Sequence, residues 1–252
     1  MLKGRTVVVA GASRGIGLAC ARSLAAEGAN TILAARSMEP LEAHAAELRS
    51  QGFAAEARRL DVCDGRSIQD FAASLPPVDV LVNVAGTNIR KPFTDYTPEE
   101  YERIMRTNLH GIVELTQAIG GSMIKRGAGG KVVIVGSLTS FLGLPYLSVY
   151  AMTKSAVAGL TRSLAAEWGR YNIQVNCIAP GFILTDLNRA MWQSEEMLGW
   201  LKGVQASDRL GTPEDIAPLA VFLSGPGSDY ITGQVIAADG GYSTTACWPF
   251  EP

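Results

Sequence analysis

Short apolar runs alternate along the chain with longer stretches whose apolar positions recur every three or four residues. The short runs predict strands and the longer stretches predict amphipathic helices. Strands are predicted at residues 5–10, 30–35, 55–60, 78–84, 131–136, 173–178 and 234–238, and helices at 15–27, 39–50, 66–74, 98–126, 150–170 and 213–223. This alternation predicts βαβ units that build an α/β fold, a doubly wound parallel sheet within three α/β/α layers.

The chain is expected to form a single domain over residues 1–252, because its length suits one hydrophobic core and no linker interrupts it. Two stretches depart from the regular alternation of predicted strands and helices. Residues 182–208, here called the lid segment, are too long for a simple loop and are expected to form small helices. They could cover a substrate, pack against the core or contact another subunit. The tail, with Trp248, carries apolar residues that we expect to dock on this subunit or a neighbour.

Composition excludes several classes of protein. Apolar residues make up 47% of the chain and charged residues 18%, which excludes disorder and favours burial of surface against other copies. The net charge of −2 and the absence of a basic run argue against nucleic-acid binding. No apolar stretch is long enough to span a membrane, so a soluble, cytoplasmic protein is expected. Four separated cysteines and two histidines, His44 and His110, lack ligand spacing, so no metal site is expected.

A glycine-rich turn joins the first predicted strand to the first predicted helix. Its glycines let the backbone approach a pyrophosphate, and the helix N-terminus offers free N–H groups to the phosphates. The turn departs from the common G-x-G-x-x-G spacing but occupies the same place in the fold. It predicts a dinucleotide site of the Rossmann type and consists of Gly11-Ala12-Ser13-Arg14-Gly15-Ile16-Gly17.

The same turn also matches the G-x-S-x-G pattern of serine hydrolases, with Ser13 as nucleophile. That fold requires a histidine after the serine and its acid, and the chain has none beyond His110. Both His44 and His110 fall within predicted helices. The hydrolase alternative therefore lacks a base, and it predicts labelling of Ser13 by a serine-directed phosphonate.

The end of the second strand indicates which dinucleotide is bound. An acidic residue there would accept the ribose 2′-hydroxyl of NAD, whereas this chain has Arg36 and Ser37. Together with Arg14, Arg36 could bind a 2′-phosphate through charge-assisted hydrogen bonds. Alone, Arg36 would be an ordinary surface charge. The pair favours NADP(H) over NAD(H).

Tyr150 and Lys154 are four residues apart and would share one face of a helix. A phenol titrates near pH ~10, and a neighbouring ammonium favours the phenolate. Ser137 closes the fifth predicted strand at the edge where such folds bind ligands, and its hydroxyl could bond a substrate oxygen. These three residues are candidates for acid/base chemistry.

Over almost its whole length the sequence resembles the short-chain dehydrogenase/reductase family. The resemblance rests on the glycine turn, on Asn83-Val84-Ala85-Gly86, on Ser137 with Tyr150 and Lys154, and on Ala179-Pro180-Gly181. It implies that Tyr150 exchanges the proton, that Ser137 polarises the carbonyl and that Lys154 favours the phenolate and holds the nicotinamide ribose. It also implies that Asn108 supports a water relay through the long helix.

The resemblance also implies further cofactor contacts. Asp61 and Val62 would meet the adenine ring, and Ile183 and Thr185 would receive the carboxamide and pyrophosphate. Family members commonly have asparagine where this chain has Val84, so one polar contact is replaced. The remaining implied contacts are Asn83, Ala85, Gly86, Pro180 and Gly181.

Within this family the chain most resembles the branch that contains gluconate 5-dehydrogenases and 3-oxoacyl-carrier-protein reductases. It also resembles tropinone-reductase-like enzymes in its sequence pattern. The resemblance implies a homotetramer assembled through the long helices. Arg90 and Lys91 could attract a substrate carboxylate or form a solvated turn. A catalytically silent dinucleotide-binding sensor or scaffold is the main alternative, although it would not need Ser137, Tyr150 and Lys154 together. A partly apolar substrate pocket is expected from Phe141, Leu142, Leu144, Met191 and Trp192.

Overall fold

Seven parallel strands form one sheet in the computed structural model, which describes residues 1–186 and 188–246. Their spatial order is β3-β2-β1-β4-β5-β6-β7. Strands β2 and β3 are therefore added on one side of β1, and β4 to β7 on the other. The doubly wound sheet predicted from the sequence is confirmed. The strands are β1 (Thr6–Ala10), β2 (Asn30–Ala35), β3 (Ala55–Arg59), β4 (Val80–Asn83), β5 (Gly130–Val135), β6 (Ile173–Pro180) and β7 (Val235–Ala238).

Helices cover both faces of this sheet. Residues of β1 alternate between the two covered faces: Val7 and Val9 pack in the cluster with α1 and α8, and Val8 packs with α5 and α6. Burial on both faces explains why β1, β4 and β5 are nearly continuous apolar runs. The helices are α1 (Gly15–Ala26), α2 (Met38–Ser50), α3 (Gly65–Ser74), α4 (Pro98–Met105), α5 (Gly111–Arg126), α6 (Ser148–Trp168), α7 (Glu195–Val204) and α8 (Pro213–Ser224).

The structure refines the prediction of one helix over residues 98–126. Between α4 and α5 the backbone widens into a π-helical turn, Arg106–His110, without breaking the helical path. Such a turn inserts one extra residue locally, and an apolar period does not reveal it. Asn108 lies within this turn and is fully buried.

The lid segment forms a 3₁₀ turn, Met191–Gln193, followed by α7. Phe182 at its start packs edge-on against Trp192, Trp200 and Tyr242, with ring centroids 4.9 to 5.5 Å away. These aromatic contacts tie the segment to the turn after β7. The predicted docking of Trp248 and the rest of the tail concerns residues 247–252, which lie outside the described residues.

Candidate active site

A cleft of about 880 Å³ opens at the carboxyl ends of the strands, next to the β1/β4 switch in strand order. Loops after β1, β2, β3, β4, β5 and β6 line it. Doubly wound sheets bind ligands at this place because the strand order reverses there and the loops diverge. The volume lies within the range of roughly 300–1,000 Å³ that is typical of small-molecule sites.

The glycine turn forms one end of the cleft, called the phosphate end. Gly11 has φ +90°, and a Cβ there would lie 2.9 Å from the backbone nitrogen of Ala85. A Cβ on Gly17 would lie 2.1 Å from the carbonyl oxygen of Gly11. No side chain caps α1 at Arg14, and its first turn holds no acidic residue. The helix N-terminus is therefore open to an anion, and Ser13, Gly15 and Ile16 also line this end.

Arg14 and Arg36 both line the phosphate end and both are exposed. Neither forms an ion pair with any residue in the described part of the chain. Ser37 lines the cleft beside Arg36, and the nearest acidic residue in sequence, Glu39, does not. The phosphate end therefore carries two guanidinium groups available to an anionic ligand.

The loop after β3 borders the cleft with Val62 but not with Asp61. Asp61 instead accepts a hydrogen bond from the backbone N–H of Cys63 at 2.9 Å, which shapes the loop. The contact of Asp61 with the adenine ring stays a prediction. Cys63, which the sequence did not single out, lines the cleft beside Val62.

Tyr150 and Lys154 line the middle of the cleft from the first two turns of α6. The Lys154 ammonium lies 5.5 Å from the centroid of the Tyr150 ring and donates to the carbonyl oxygen of Val135 at 2.8 Å. Lys154 is only 3% exposed and has no carboxylate partner among residues 1–186 and 188–246. Since an ammonium has three donors, a ligand in the cleft can accept further hydrogen bonds from it.

Ser137 lies on the same stretch of the cleft, two residues after β5. Its hydroxyl oxygen accepts from the backbone N–H of Thr139 at 3.2 Å. An oxygen held this way keeps its own proton available for donation. The hydroxyl of Ser140 donates to the carbonyl oxygen of Lys154 at 2.9 Å and so joins this turn to α6.

Asn108 does not line the cleft but supports its wall from behind. Its Oδ1 accepts from the Thr87 N–H at 2.7 Å, and its Nδ2 donates to the Thr87 carbonyl at 2.8 Å. Nδ2 also lies 3.3 Å from the hydroxyl of Thr153, next to Lys154. Asn108 thus joins the loop after β4 to α6, a set of contacts that the sequence did not reveal.

Asn83 ends β4 and is fully buried, with neither amide atom bonded within the described residues. It does not line the cleft, whereas Ala85 and Gly86 do. A Cβ on Gly86 would stand 3.6 Å from both Asn108 Oδ1 and the Lys154 ammonium nitrogen. The small residues after β4 therefore leave open space beside these polar groups.

The segment after β6 forms the opposite wall with Pro180, Gly181, Ile183 and Thr185. Asn188 holds this turn, because its Oδ1 accepts from the Thr185 N–H and its Nδ2 donates to the Ile183 carbonyl, both at 2.8 Å. Sequence reasoning missed Asn188, since its role depends on a local turn and not on a motif.

The other end of the cleft, called the substrate end, is bordered by Arg90, Leu144, Met191 and Trp192. This agrees with the expected partly apolar pocket in part only. Phe141 and Leu142 do not line the cleft, and Phe141 is 51% exposed. The turn after β5 directs the chain away from the cleft at these two positions.

Other reactive side chains lie apart from this arrangement. Burial raises the pKa of the Cys20 thiol to about 12 and that of Cys177 to about 11, so both stay protonated at neutral pH. Neither His44 nor His110 is among the described residues that line the cleft. Within residues 1–186 and 188–246 no cluster of three potential metal ligands occurs, and no helix there is both long and apolar enough for a bilayer.

Comparison with known proteins agrees with this geometry. The family model described as Enoyl-(Acyl carrier protein) reductase matches residues 11–243. The chain is 35% identical to gluconate 5-dehydrogenase of Gluconobacter oxydans (strain 621H), over 97% of this chain and 96% of the relative. It is 37% identical to a 3-oxoacyl-(acyl-carrier-protein) reductase of Chlamydia trachomatis serovar D, over 96% and 98% of the two chains.

Among solved structures, a gluconate 5-dehydrogenase from Burkholderia cenocepacia J2315 in complex with NADP and tartrate superposes with a TM-score of 0.92. It is 36% identical and the match covers 97% of each chain. The similarity in sequence and structure thus extends over nearly the whole molecule. The chain belongs to the short-chain dehydrogenase/reductase family and is an oxidoreductase.

Proposed function

We propose that this protein transfers a hydride between NADP(H) and a carbonyl or secondary alcohol substrate. The observation that carries the proposal is the buried Lys154 ammonium beside the Tyr150 ring within a cleft of dinucleotide size. A charge buried to this extent without a carboxylate partner is costly unless a ligand or a fixed dipole compensates it. The Val135 carbonyl compensates part of it.

The residues of the cleft fit a dinucleotide. The glycines of the first turn leave room that a Cβ would fill, and the open N-terminus of α1 faces the same space. Arg14 and Arg36 suit a 2′-phosphate, which favours NADP(H). The structure of the Burkholderia relative is likewise a complex with NADP. Further proposed contacts are Ser13, Ile16, Ser37, Asp61, Val62, Asn83, Ala85, Gly86, Pro180, Gly181, Ile183 and Thr185.

Each catalytic residue has a defined task in this proposal. The bound nicotinamide supplies or accepts the hydride. Tyr150 gives the proton to the substrate oxygen or takes it away, as general acid or base. Ser137 donates a hydrogen bond to that oxygen through its hydroxyl proton, which the contact with the Thr139 N–H does not use. Lys154, whose ammonium lies beside the Tyr150 ring, holds the ribose, while Asn108 keeps the loop after β4 in place and supports a water relay.

The substrate is proposed to be a sugar acid or a 3-oxoacyl compound, the two substrate classes of the branch that the chain resembles. The lid segment is proposed to cover it, since Met191 and Trp192 line the substrate end. We further propose a homotetramer in the cytoplasm. Support comes from free thiols at Cys20, Cys63 and Cys177, and from apolar side chains exposed on the long helices: Tyr101, Val113 and Met152.

Replacement of one hydroxyl tests the proposal. Tyr150→Phe is expected to leave the dissociation constant of NADPH nearly unchanged and to lower kcat by about 10²–10⁴-fold, the range of general acid/base catalysis. Binding is measured by NADPH fluorescence and kcat by absorbance on a panel of ketones, sugar acids and alcohols. Tyr230→Phe, at a fully exposed tyrosine, is the matched control and should change neither value. Unchanged turnover in Tyr150→Phe would refute the proposed role.

A further inference from the structure

Two cations follow β4 next to one another, and the structure separates their tasks. The Lys91 ammonium lies 2.6 Å from a carboxylate oxygen of Glu100. The same carboxylate accepts from the backbone N–H of Thr97 at 3.0 Å and completes the cap of α4. Lys91 is therefore engaged in holding a helix end and does not line the cleft.

Arg90 lines the substrate end of the cleft and is exposed. Its only hydrogen-bond partner among the described residues is the thioether sulfur of Met191, a weak neutral acceptor. The one carboxylate among the described cleft residues, Asp186, lies 3.2 Å from Arg189. The Arg90 guanidinium therefore faces the cleft with no anion to neutralise it.

The backbone fixes Arg90 in this place. The Tyr96 hydroxyl donates to the carbonyl oxygen of Ile89 at 2.5 Å, and the Lys91 N–H donates to the carbonyl oxygen of Tyr146 at 3.1 Å. Tyr146 precedes Tyr150 by four residues, so the second bond joins the Arg90 loop to the segment that leads into α6. Because the backbone is held on both sides of Arg90, the side chain starts from a fixed position at the cleft, and less backbone entropy is lost when an anion binds.

The remaining walls of the substrate end are largely apolar, with Leu144, Leu147, Met191 and Trp192. A guanidinium attracts a carboxylate more strongly beside such walls than in open water, and its planar shape matches a carboxylate. A hydrocarbon chain alone would gain nothing from this cation. The arrangement favours a substrate that carries a carboxylate in addition to the reacting alcohol or carbonyl.

We infer that Arg90 binds the carboxylate of a small hydroxy or oxo acid and thereby selects anionic substrates over uncharged ones. The inference rests on the proposed function, because it assumes that the reacting carbon lies near Tyr150. Of the two substrate classes proposed above, the inference favours the sugar acid over the 3-oxoacyl compound. Lys91 is assigned no part in substrate recognition.

Matched pairs of substrates test this inference. D-Gluconate and D-glucitol differ only in the carboxylate, and other hydroxy acids are each compared with their amide. The wild-type protein is expected to have at least about tenfold higher kcat/KM for the anionic member. Arg90→Ala should raise KM for the anion by about 10- to 100-fold, the range for a lost hydrogen bond to a charged group, with a small effect on kcat. It should leave KM for the uncharged member unchanged.

Further variants separate charge from packing. Arg90→Lys keeps the charge and should restore part of the preference for the anion. Met191→Leu removes the sulfur contact and should retain that preference. Arg66→Ala removes a positive charge from the exposed surface of α3, outside the cleft, and should leave the preference unchanged. A direct readout is quenching of tryptophan fluorescence by D-gluconate in the NADP⁺ complex, which Arg90→Ala should weaken.

Three outcomes would overturn the inference: equal use of both members of every pair, no turnover of any anionic member, or a preference that survives in Arg90→Ala. NADPH binding measured alongside distinguishes this failure from failure of the proposed function. Wild-type protein that binds NADPH and reduces only uncharged ketones keeps the proposed function and refutes the role of Arg90. Protein that neither binds NADPH nor turns over any substrate refutes both.

Discussion

At individual positions of the cleft, backbone geometry determines the contacts of a residue as much as its side-chain chemistry does. The motifs predicted that Gly11, Ser137, Tyr150 and Lys154 would meet at one sheet edge, and all four line the cleft. The hydrogen-bond partners of these residues could not be predicted. Lys154, for example, donates to the carbonyl oxygen of Val135, and a backbone carbonyl is present whatever the residue type. The hydrogen bond from the Cys63 N–H to the Asp61 carboxylate was not predictable for the same reason, because its donor is backbone.

At this scale the two arginines of the phosphate end give a quantitative prediction. The double variant Arg14→Ala/Arg36→Ala should weaken NADPH binding by about 10- to 100-fold, since hydrogen bonds to charged groups contribute roughly 1.5–3 kcal/mol. NADH binding should change little, because NADH lacks the 2′-phosphate. Fluorescence titration with both cofactors measures the two dissociation constants. Arg66→Ala, on the exposed surface of α3, is the control. Equal weakening for both cofactors would contradict the assignment.

Helices and strands follow the apolar pattern closely, and deviations occur where packing decides. The predicted strand ends agree within a few residues. The pattern is clearest in β1, β4 and β5, which are short, apolar runs buried on both faces. The π-helical turn at Arg106–His110 was not predictable, since the extra residue depends on contacts of Asn108 with Thr87 and Thr153. In the same way, Gly120 within α5 appears unfavourable in sequence, yet it gives room to the Trp168 ring.

Adjacent glycines in α5 provide a prediction about packing. A Cβ on Gly120 would lie 2.3 Å from the Trp168 ring, whereas a Cβ on Gly121 would meet no atom within 4 Å. Gly120→Ala should lower the free energy of unfolding by about 1–3 kcal/mol through overpacking. Gly121→Ala, the matched control, should raise it by up to about 1 kcal/mol through helix propensity. Urea denaturation measures both, and a stabilised Gly120→Ala would show that the helices are less tightly packed than described.

The N-terminus of α8 provides a prediction about pH. Asp215 accepts hydrogen bonds from the Arg209 guanidinium at 2.7 and 2.8 Å and from the Thr212 N–H at 2.7 Å. The Arg209 guanidinium, followed by the Thr212 N–H, holds the pKa of the Asp215 carboxyl well below its usual range. The stabilisation is therefore present above the unfolded-state pKa of about 3.9 and is lost as the pH falls toward the lower folded-state value.

Asp215→Asn should accordingly lower Tm at pH 7, by a few degrees at most because the ion pair is partly exposed and screened by solvent. The difference in Tm from wild type should narrow as the pH falls below about 4. Thermal unfolding at a series of pH values measures it. Glu214→Gln, one residue earlier on the exposed surface of the same turn, should show no such narrowing. A constant difference across the pH range would mean that Asp215 acts without its charge.

The whole molecule brings the loops of six strands to one edge of the sheet, and the resulting cleft includes both Arg36 and Arg90. Its two ends carry unneutralised guanidinium groups, and its middle holds the buried Lys154. This distribution of charge suits a ligand with phosphates at one end and, as inferred, an acid at the other. The doubly wound parallel sheet that forms the cleft was predicted from the βαβ pattern. The contact between the Arg90 loop and the lid segment was not, because Met191 lies 101 positions after Arg90 in the sequence.

A crystal structure of the complex with NADP⁺ tests the central claim most directly. The account predicts that the nicotinamide ring contacts the Tyr150 hydroxyl, with the ribose hydroxyls on Lys154 and the 2′-phosphate between Arg14 and Arg36. A dinucleotide bound in the reverse direction, or with its nicotinamide away from Tyr150, would contradict it.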